Sequence, residues 1–264
     1  MTRKVHTLLI DGDLLVYRPG FAADGQVKRQ LISEQPELGG NPEALKEELG
    51  SIDYLGHALT NVRSTITGIL DRLGHHNNYQ LYITGTGNFR EQIATILPYK
   101  GNRTTGKPKY YSEIRDYMQQ RWGAIVVNGR EADDALASAQ WAKPDKSTII
   151  VSYDKDLDMI PGKHYDWVKD RRYEVTLEDA NFNFFRQMLW GDSTDNIPGI
   201  DGIGEKRSVD LLLPFKHSTA EMQQFVSDKY REQYGDNWRE AYNEVATLLW
   251  LERVEGQPCD YLIF

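Results

Sequence analysis

The sequence predicts an α/β fold, with a mostly parallel central sheet covered by helices, followed by a helical region. Three observations carry this expectation. Short apolar runs alternate with segments of helical periodicity through the first two thirds of the chain, the pattern of parallel strands joined by crossover helices. Several of these runs end directly on acidic residues. Beyond about residue 178 the strand-like runs stop while helical spacing continues, which divides the chain into 1–178 and 179–264.

Taken in order, residues 6–10 form a first strand that ends at Asp11. Residues 18–42 contain Pro19, Gly20, Gly25, Pro36, Gly39 and Gly40 and read as an irregular loop. From 42 to 73, apolar residues recur at Leu45, Leu49, Ile52, Leu59, Val62, Ile66, Ile69 and Leu73, one long helix stopped by Gly74. Residues 81–84 form the next strand. A helix over 112–122 closes at Gly123, and a strand at 124–127 feeds a helix over 131–141. The β-branched run 148–152 is a strand followed by Asp154, and 164–168 and 173–176 are weaker strand candidates. A helix at 177–190 leads through a glycine-rich turn to a helix beginning at Glu205. Ser218-Thr219-Ala220-Glu221 is a capping box that opens another. The last helix, over 236–253, carries Trp238, Tyr242, Val245, Leu248 and Leu249 on one face. No internal repeat or low-complexity segment interrupts this plan.

Composition narrows the class. The 264 residues are 40% hydrophobic and 27% charged, ordinary for a chain with a sizeable core. No apolar run is long enough to span a bilayer, so no membrane partner is expected. The basic start is broken at once by Asp11 and Asp13 and fails as a signal peptide. A single cysteine, Cys259, excludes a disulfide framework and a Cys-based zinc site. A reducing, cytoplasmic setting is the expectation. The net charge of −8 runs against nucleic-acid binding, yet acidic and basic residues are both grouped, so an acidic cleft can lie beside a basic track.

The acidic groups are Asp11 and Asp13; Glu131, Asp133 and Asp134; Asp154, Asp156 and Asp158; and Asp192 and Asp195. Two follow strands directly and one opens a helix after a strand, so three groups converge on the carboxyl edge of the sheet, where open α/β sheets bind ligands. Singly, Asp133, Asp134 and Asp156 read better as helix-start residues favoured by the dipole than as ligands. Jointly they need cations, because two carboxylates 4 Å apart repel by about 4 kcal/mol even at an effective dielectric of 20. All-oxygen ligands select magnesium or manganese, and a pair of such ions suits phosphodiester hydrolysis.

Two basic segments accompany them. Tyr99-Lys100-Gly101-Asn102-Arg103, with Lys107, Lys109, Tyr110 and Tyr111, interleaves cations and aromatics as nucleic-acid binding requires; the alternative is a solvated loop. The run from Asn196 to Arg207 places Gly199, Gly202 and Gly204 before Glu205-Lys206-Arg207. Such a turn lets backbone N–H groups at a helix start hold a phosphate; the alternative is an ordinary helix connector. His75-His76 reads as a solvated pair, Gly85-Thr86-Gly87 is too short for a nucleotide site, and Trp190, Trp238 and Trp250 read as core.

In Ile10-Asp11-Gly12-Asp13, Tyr99-Lys100-Gly101-Asn102-Arg103, Glu131-Ala132-Asp133-Asp134, Asp154-Lys155-Asp156 and Gly191-Asp192-Ser193-Thr194-Asp195-Asn196-Ile197-Pro198-Gly199, continued by Gly202-Ile203-Gly204-Glu205-Lys206, the chain resembles the 5′-nuclease (flap endonuclease-like) superfamily. That group includes flap endonucleases and the 5′-exonuclease domains of bacterial polymerases, and the look is most like the bacteriophage 5′–3′ exonucleases of DNA replication. The resemblance implies a PIN-like catalytic domain and a helix–three-turn–helix in the helical part. It implies two magnesium or manganese ions on Asp11, Glu131, Asp133, Asp134, Asp154, Asp156, Asp192 and Asp195, with Lys100 and Arg103 as catalytic cations. It further implies DNA contacts from Tyr99, Lys107, Lys109, Gly199, Gly202, Gly204, Lys206 and Arg207, with a potassium ion at the glycine turn. The implied partner is DNA with a 5′ end or flap, with RNA–DNA hybrid as a further substrate, bound by a monomer in the cytoplasm, that of the host for a phage protein.

One departure stands out. Relatives carry an aspartate at the end of the second strand, before the residues matching Phe89-Arg90, where this chain has Thr84-Gly85-Thr86. Either one ligand is missing or Asp13 takes its place; Asp13 and Asp158 are otherwise outside the implied set. The short stretch from Phe89 to Tyr111 implies a small arch over a threaded 5′ end. Two other classes fit parts of the pattern. A haloacid-dehalogenase-like phosphatase also uses Asp-x-Asp and Gly-Asp-Ser-x-x-Asp, but leaves Glu131–Asp134 without a role and needs a strand before Gly191. A DNA-binding protein that has lost catalysis would account for the missing aspartate.

Overall fold

The computed structural model describes residues 6–74, 78–104, 106–143 and 147–264; the expectation for His75-His76 lies outside them. Six strands form one sheet in the order β3-β2-β1-β4-β5-β6: β1 (Thr7–Asp11), β2 (Tyr79–Thr84), β3 (Ile125–Val127), β4 (Thr148–Val151), β5 (Gly162–Asp166) and β6 (Arg171–Val175). All neighbours are parallel except β5 and β6. Side chains alternate across the sheet. Leu8 and Ile10 of β1 enter one core with Val62, Ile66, Ile69, Ile114 and Met118. Leu9 enters the opposite core with Leu136, Ile150 and Leu157. Both faces are therefore covered, as the sequence implied.

The chain leaves β1 for β2 and β3 on one side and returns to β4 on the other. That reversal makes the carboxyl ends of β1 and β4 a topological switch point, the crevice where such sheets bind ligands. Asp11 ends β1, and Ser152-Tyr153-Asp154 follows β4.

Two expectations fail here. The stretch read as an irregular loop is mostly helix α1 (Gly12–Glu34), followed by a 3-10 turn at Pro36–Gly40. Its buried positions Gly12, Leu15, Val16, Pro19, Gly20, Ala23 and Leu31 follow the helix, but four of the seven are Gly, Pro or Ala rather than large apolar residues. Proline inside a helix costs about 3 kcal/mol in isolation. Packing against α3 and α5 offsets it, and Gly20 is needed because a Cβ there would lie 2.8 Å from Pro108. The long helix expected over 42–73 is two, α2 (Pro42–Ser51) and α3 (Leu55–Leu73). Lys109 Nζ donates to the carbonyls of Leu49, Gly50 and Ile52 and so caps α2 at the break. Gly74 does end α3, in the left-handed conformation at φ 71°.

The remaining helices follow the expected order: α4 (Arg90–Ile93), a short addition; α5 (Tyr111–Trp122), closed by left-handed Gly123; α6 (Ala132–Trp141); α7 (Leu177–Trp190); α8 (Glu205–Leu212); α9 (Thr219–Tyr234), with Ser218 accepting from Glu221 N; and α10 (Trp238–Leu249). Helices α7, α9 and α10 share a core of their own around Phe184, Phe185, Tyr230 and Tyr242. Trp238 and Trp250 are buried in it, as expected. Trp190 is only half-buried, between Lys155 and Arg186. No helix among the described residues is long and apolar enough to cross a membrane.

A candidate metal centre and nucleic-acid interface

Asp11 is the N-cap of α1: one oxygen accepts from Leu14 N at 3.3 Å and the other from Ser152 Oγ at 2.8 Å. Asp154 caps the next turn after β4 and accepts from Asp156 N at 2.9 Å. Glu131 caps α6, which places Asp133 in its first turn. The preference of Asp and Glu for helix starts is thus real, and it is what aims these carboxylates at the switch point.

Their charges are not balanced. Burial and the neighbouring Asp13 and Asp154 push Asp11 up to about 7. Asp133 is raised well above the usual carboxylate range by burial and by Asp11, Asp154, Glu131 and Asp13. Burial, Asp154 and Asp192 push Asp156 up to about 8. Asp154 is raised by burial and feels Asp192 and Asp195. Groups far apart in sequence are therefore neighbours in space. Among the described residues no three are drawn together tightly enough to hold a metal ion by themselves. An all-oxygen, desolvated set with surplus negative charge nevertheless fits hard divalent cations, which relieve the repulsion that keeps such groups apart.

The segment of Tyr99–Arg103 is clamped onto the turn that carries Asp192 and Asp195. Lys100 N donates to Asp195 O at 2.8 Å, and the Asn196 amide donates to Pro98 O at 2.9 Å. Lys100 itself sits at φ 57°, a left-handed conformation costly for a residue with a Cβ. Its ammonium pairs with Glu131 and lies 3.6 Å from Asp195, while Arg103 pairs with the other Asp195 oxygen. Both cations thus border the carboxylates.

Gly191 and Gly199 are required by close backbone approach. A Cβ on Gly199 would lie 2.2 Å from the Trp190 carbonyl carbon, and one on Gly191, at φ 75°, 2.3 Å from Ile197 O. Gly202, at φ 72°, and Gly204, the N-cap of α8, lie in the open, and Lys206 and Arg207 are exposed beside them.

Known proteins with this arrangement point one way. No family model matches the chain. It is 25% identical over 234 residues to the 5′–3′ exonuclease of Buchnera aphidicola, covering 82% of this chain and 72% of that one. It is 30% identical over 169 residues to the 5′–3′ exonuclease of Mycoplasmopsis pulmonis, covering 58% and 56%. The chain spans about a quarter of the DNA polymerase I chains it also matches. A structure of bacteriophage T5 5′-exonuclease with divalent zinc bound shares the fold, with TM-score 0.55, 17% identity and coverage of 94% of this chain and 88% of that one. In sequence the chain is similar to these 5′–3′ exonucleases, and in fold to the T5 exonuclease.

Several singled-out residues stand elsewhere. Asp134 does not face the cluster. It is fully buried, paired with Arg90 through both oxygens at 2.7 and 2.9 Å, and also accepts from Glu131 N and Glu252 N. These bonds, Arg90 foremost, hold it below the usual carboxylate range despite burial. Lys109 spends its three N–H groups on the end of α2, so it is withdrawn from the DNA contacts. Tyr99 shares its hydroxyl proton between Glu131 and Asp195 rather than projecting free. Gly199 serves the turn's closure. Asp158 accepts from Tyr173, outside the cluster. Gly191-Asp192 follows α7, not a strand, which removes the phosphatase alternative.

Arg90 and Tyr17 went unnoticed as site residues in the sequence, whereas Asp13, Lys107 and Tyr111 were singled out there. Arg90 is 1% exposed and also donates to the carbonyls of Leu248 and Trp250. Asp13 accepts from Thr84 N at 3.1 Å and lies 3.5 Å from Arg115, which brings its carboxylate to the end of β2. Tyr17 of α1 lies 5.5 Å from Tyr111, over which Lys107 sits at 4.3 Å. The Asp11-to-Tyr17 spacing on a helix was the available signal, hidden by reading that stretch as a loop.

Proposed function

We propose that the chain is a divalent-metal-dependent 5′–3′ exonuclease and structure-specific 5′ flap endonuclease that hydrolyses phosphodiester bonds in DNA. The observation that carries this reading is the desolvated carboxylate set at the switch point, bordered by Lys100 and Arg103 and flanked by an open glycine turn. Two magnesium or manganese ions, held by Asp11, Asp133 and Asp154 and by Glu131, Asp156, Asp192 and Asp195, would supply an acidified water and neutralise charge on the scissile phosphate. Asp13, held at the end of β2, stands in for the aspartate that relatives carry there.

The chain's own residues do the rest. Lys100 and Arg103 exchange their carboxylate partners for phosphate oxygens and stabilise the added negative charge. Tyr99 keeps Glu131 and Asp195 at a fixed spacing. Tyr17, Tyr111 and Lys107 provide stacking and charge for a strand entering the cleft. The turn at Gly202-Ile203-Gly204 and helix α8, a helix–three-turn–helix with α7, hold duplex phosphates by backbone N–H, Lys206 and Arg207, without reading sequence. A potassium ion at this turn would have backbone carbonyls as ligands, of which Gly202 O is already taken by Arg207. The chain acts as a monomer of two parts, 1–178 catalytic and 179–264 DNA-gripping, in the cytoplasm, on DNA and on RNA–DNA hybrids.

The test is hydrolysis of 5′-recessed, flapped and hybrid substrates with magnesium or manganese, against chelator. Binding without cutting in either metal would establish the catalysis-free alternative instead.

A further inference from the structure

Gln187 is buried on α7, 5% exposed, one turn before the glycine that ends the helix. Its neighbours across the site are carboxylates, which only accept when ionised. Its amide nitrogen donates one N–H to Asp156 Oδ1 and the other to Asp192 Oδ2, each at 3.2 Å. Asp156 belongs to the turn after β4, and Asp192 to the turn after α7. One neutral side chain therefore ties an acid of the sheet region to an acid of the helical region. When both are ionised these two acids repel, and a divalent ion relieves that only once it has bound. Before then, Gln187 is the group that keeps them in register.

Its chemistry suits that task. A lysine here would hold both carboxylates but oppose an incoming cation, whereas an amide adds no charge. Each bonded oxygen retains a second lone-pair site. Asp192 Oδ1 is already fixed by Thr194 N at 2.7 Å and Asp195 N at 3.2 Å, so the Gln187 bond completes the orientation of that carboxylate. Gln187 is itself buried, on a helix whose Phe184 and Met188 are also buried, rather than on a loop, which limits its drift.

We propose that Gln187 is a positioning residue that sets the spacing of Asp156 and Asp192 and thereby the affinity of the site for its second divalent ion. This rests on the metal-dependent reading above. The experiment is a manganese titration of the intact chain without DNA, followed by the paramagnetic signal of free and bound ion, for wild type, Gln187→Met and Gln187→Asn. Methionine keeps length without donors, and asparagine keeps the amide on a stem too short to span both acids. Met188→Leu on the same helix controls for loosened packing.

The expected result is two classes of ion in wild type. Both Gln187 variants weaken the looser class by about tenfold or more and leave the tighter class within about twofold, the cost typical of removing a partner that orients a ligand. The control changes neither class. Equal weakening of both classes, no change in either, or a single class in wild type would each overturn the proposal. Loss of the proposed function is read separately: wild-type chain that never cuts DNA would defeat that reading and leave the titration interpretable.

Discussion

Arg90 and Asp134 meet fork to fork, at 2.7 and 2.9 Å, with side chains 1% and 0% exposed. The same guanidinium donates to Leu248 O and Trp250 O, and the same carboxylate accepts from Glu131 N and Glu252 N. The pair thus fastens the start of α6, and with it Glu131 and Asp133, to the segment that ends α10. Adjacent aspartates do opposite things. Asp133 faces other carboxylates, and Asp134 faces an arginine.

Their neutral variants should therefore diverge. Asp134→Asn leaves Arg90 buried without its counter-charge, a loss of about 3–5 kcal/mol when one partner of a buried pair is removed, and saturating magnesium should not restore it. Asp133→Asn removes repulsion and should raise the metal-free melting temperature by about 2–4 °C, the shift from roughly 1 kcal/mol in a chain of this size, while abolishing cleavage. Thermal unfolding of both in chelator checks this. Equal stability of the two variants would contradict the assignment. A metal ligand, as the resemblance implies for Asp134, could be neutralised without loss of the fold; the Arg90 pair reverses that expectation.

The pH dependence of the metal-free protein follows from the same imbalance. Asp11 is pushed up to about 7 and Asp156 to about 8 from a starting value of 3.8. For a group raised in the folded state, the stabilising contribution is present below the unfolded value and is lost as pH rises through the folded one. Asp134 is lowered, so its contribution is lost only as pH falls below the usual range. In chelator, the melting temperature should peak near about pH 5 and fall toward about pH 8. Saturating magnesium should remove most of that fall, because it replaces the protons. A flat profile in chelator would show that the carboxylates are compensated by other means.

Much of this was legible in the sequence, for reasons visible at particular residues. The strands and α7 were readable because their apolar runs are β-branched or strictly periodic, and the carboxylates because helix starts attract them. Helix α1 was not, because Gly12, Pro19 and Gly20 sit in its buried stripe beside Leu15, Val16, Ala23 and Leu31, and glycine and proline count locally as loop residues. The break before α3 depends on Lys109, some sixty residues away. Arg90, Asp134 and Gln187 were opaque for the same reason: their partners come from distant segments, and charge alone does not distinguish a ligand from a buried brace.

Lys100 and Arg103 make a kinetic claim. Lys100→Ala should lower the cleavage rate by about a hundred- to a thousandfold, the usual cost of one charge-stabilising donor, with duplex affinity in calcium little changed. Single-turnover rates beside binding isotherms test it. A rate within a few fold of wild type would remove Lys100 from the chemistry.

The glycine turn makes an electrostatic claim. Lys206→Ala and Arg207→Ala should each weaken duplex binding uniformly across sequences and reduce the slope of log affinity against log salt by about one. Affinity measured over a salt series decides it. Unchanged slopes would place the duplex elsewhere.

The most direct measurement is cleavage of a DNA duplex labelled at a recessed or flapped 5′ end, with magnesium or manganese and with chelator. The expected result is metal-dependent release of labelled product from the 5′ end by wild type and none by Asp133→Asn. Metal-independent release, release from the 3′ end, or no cleavage in either metal would contradict the account.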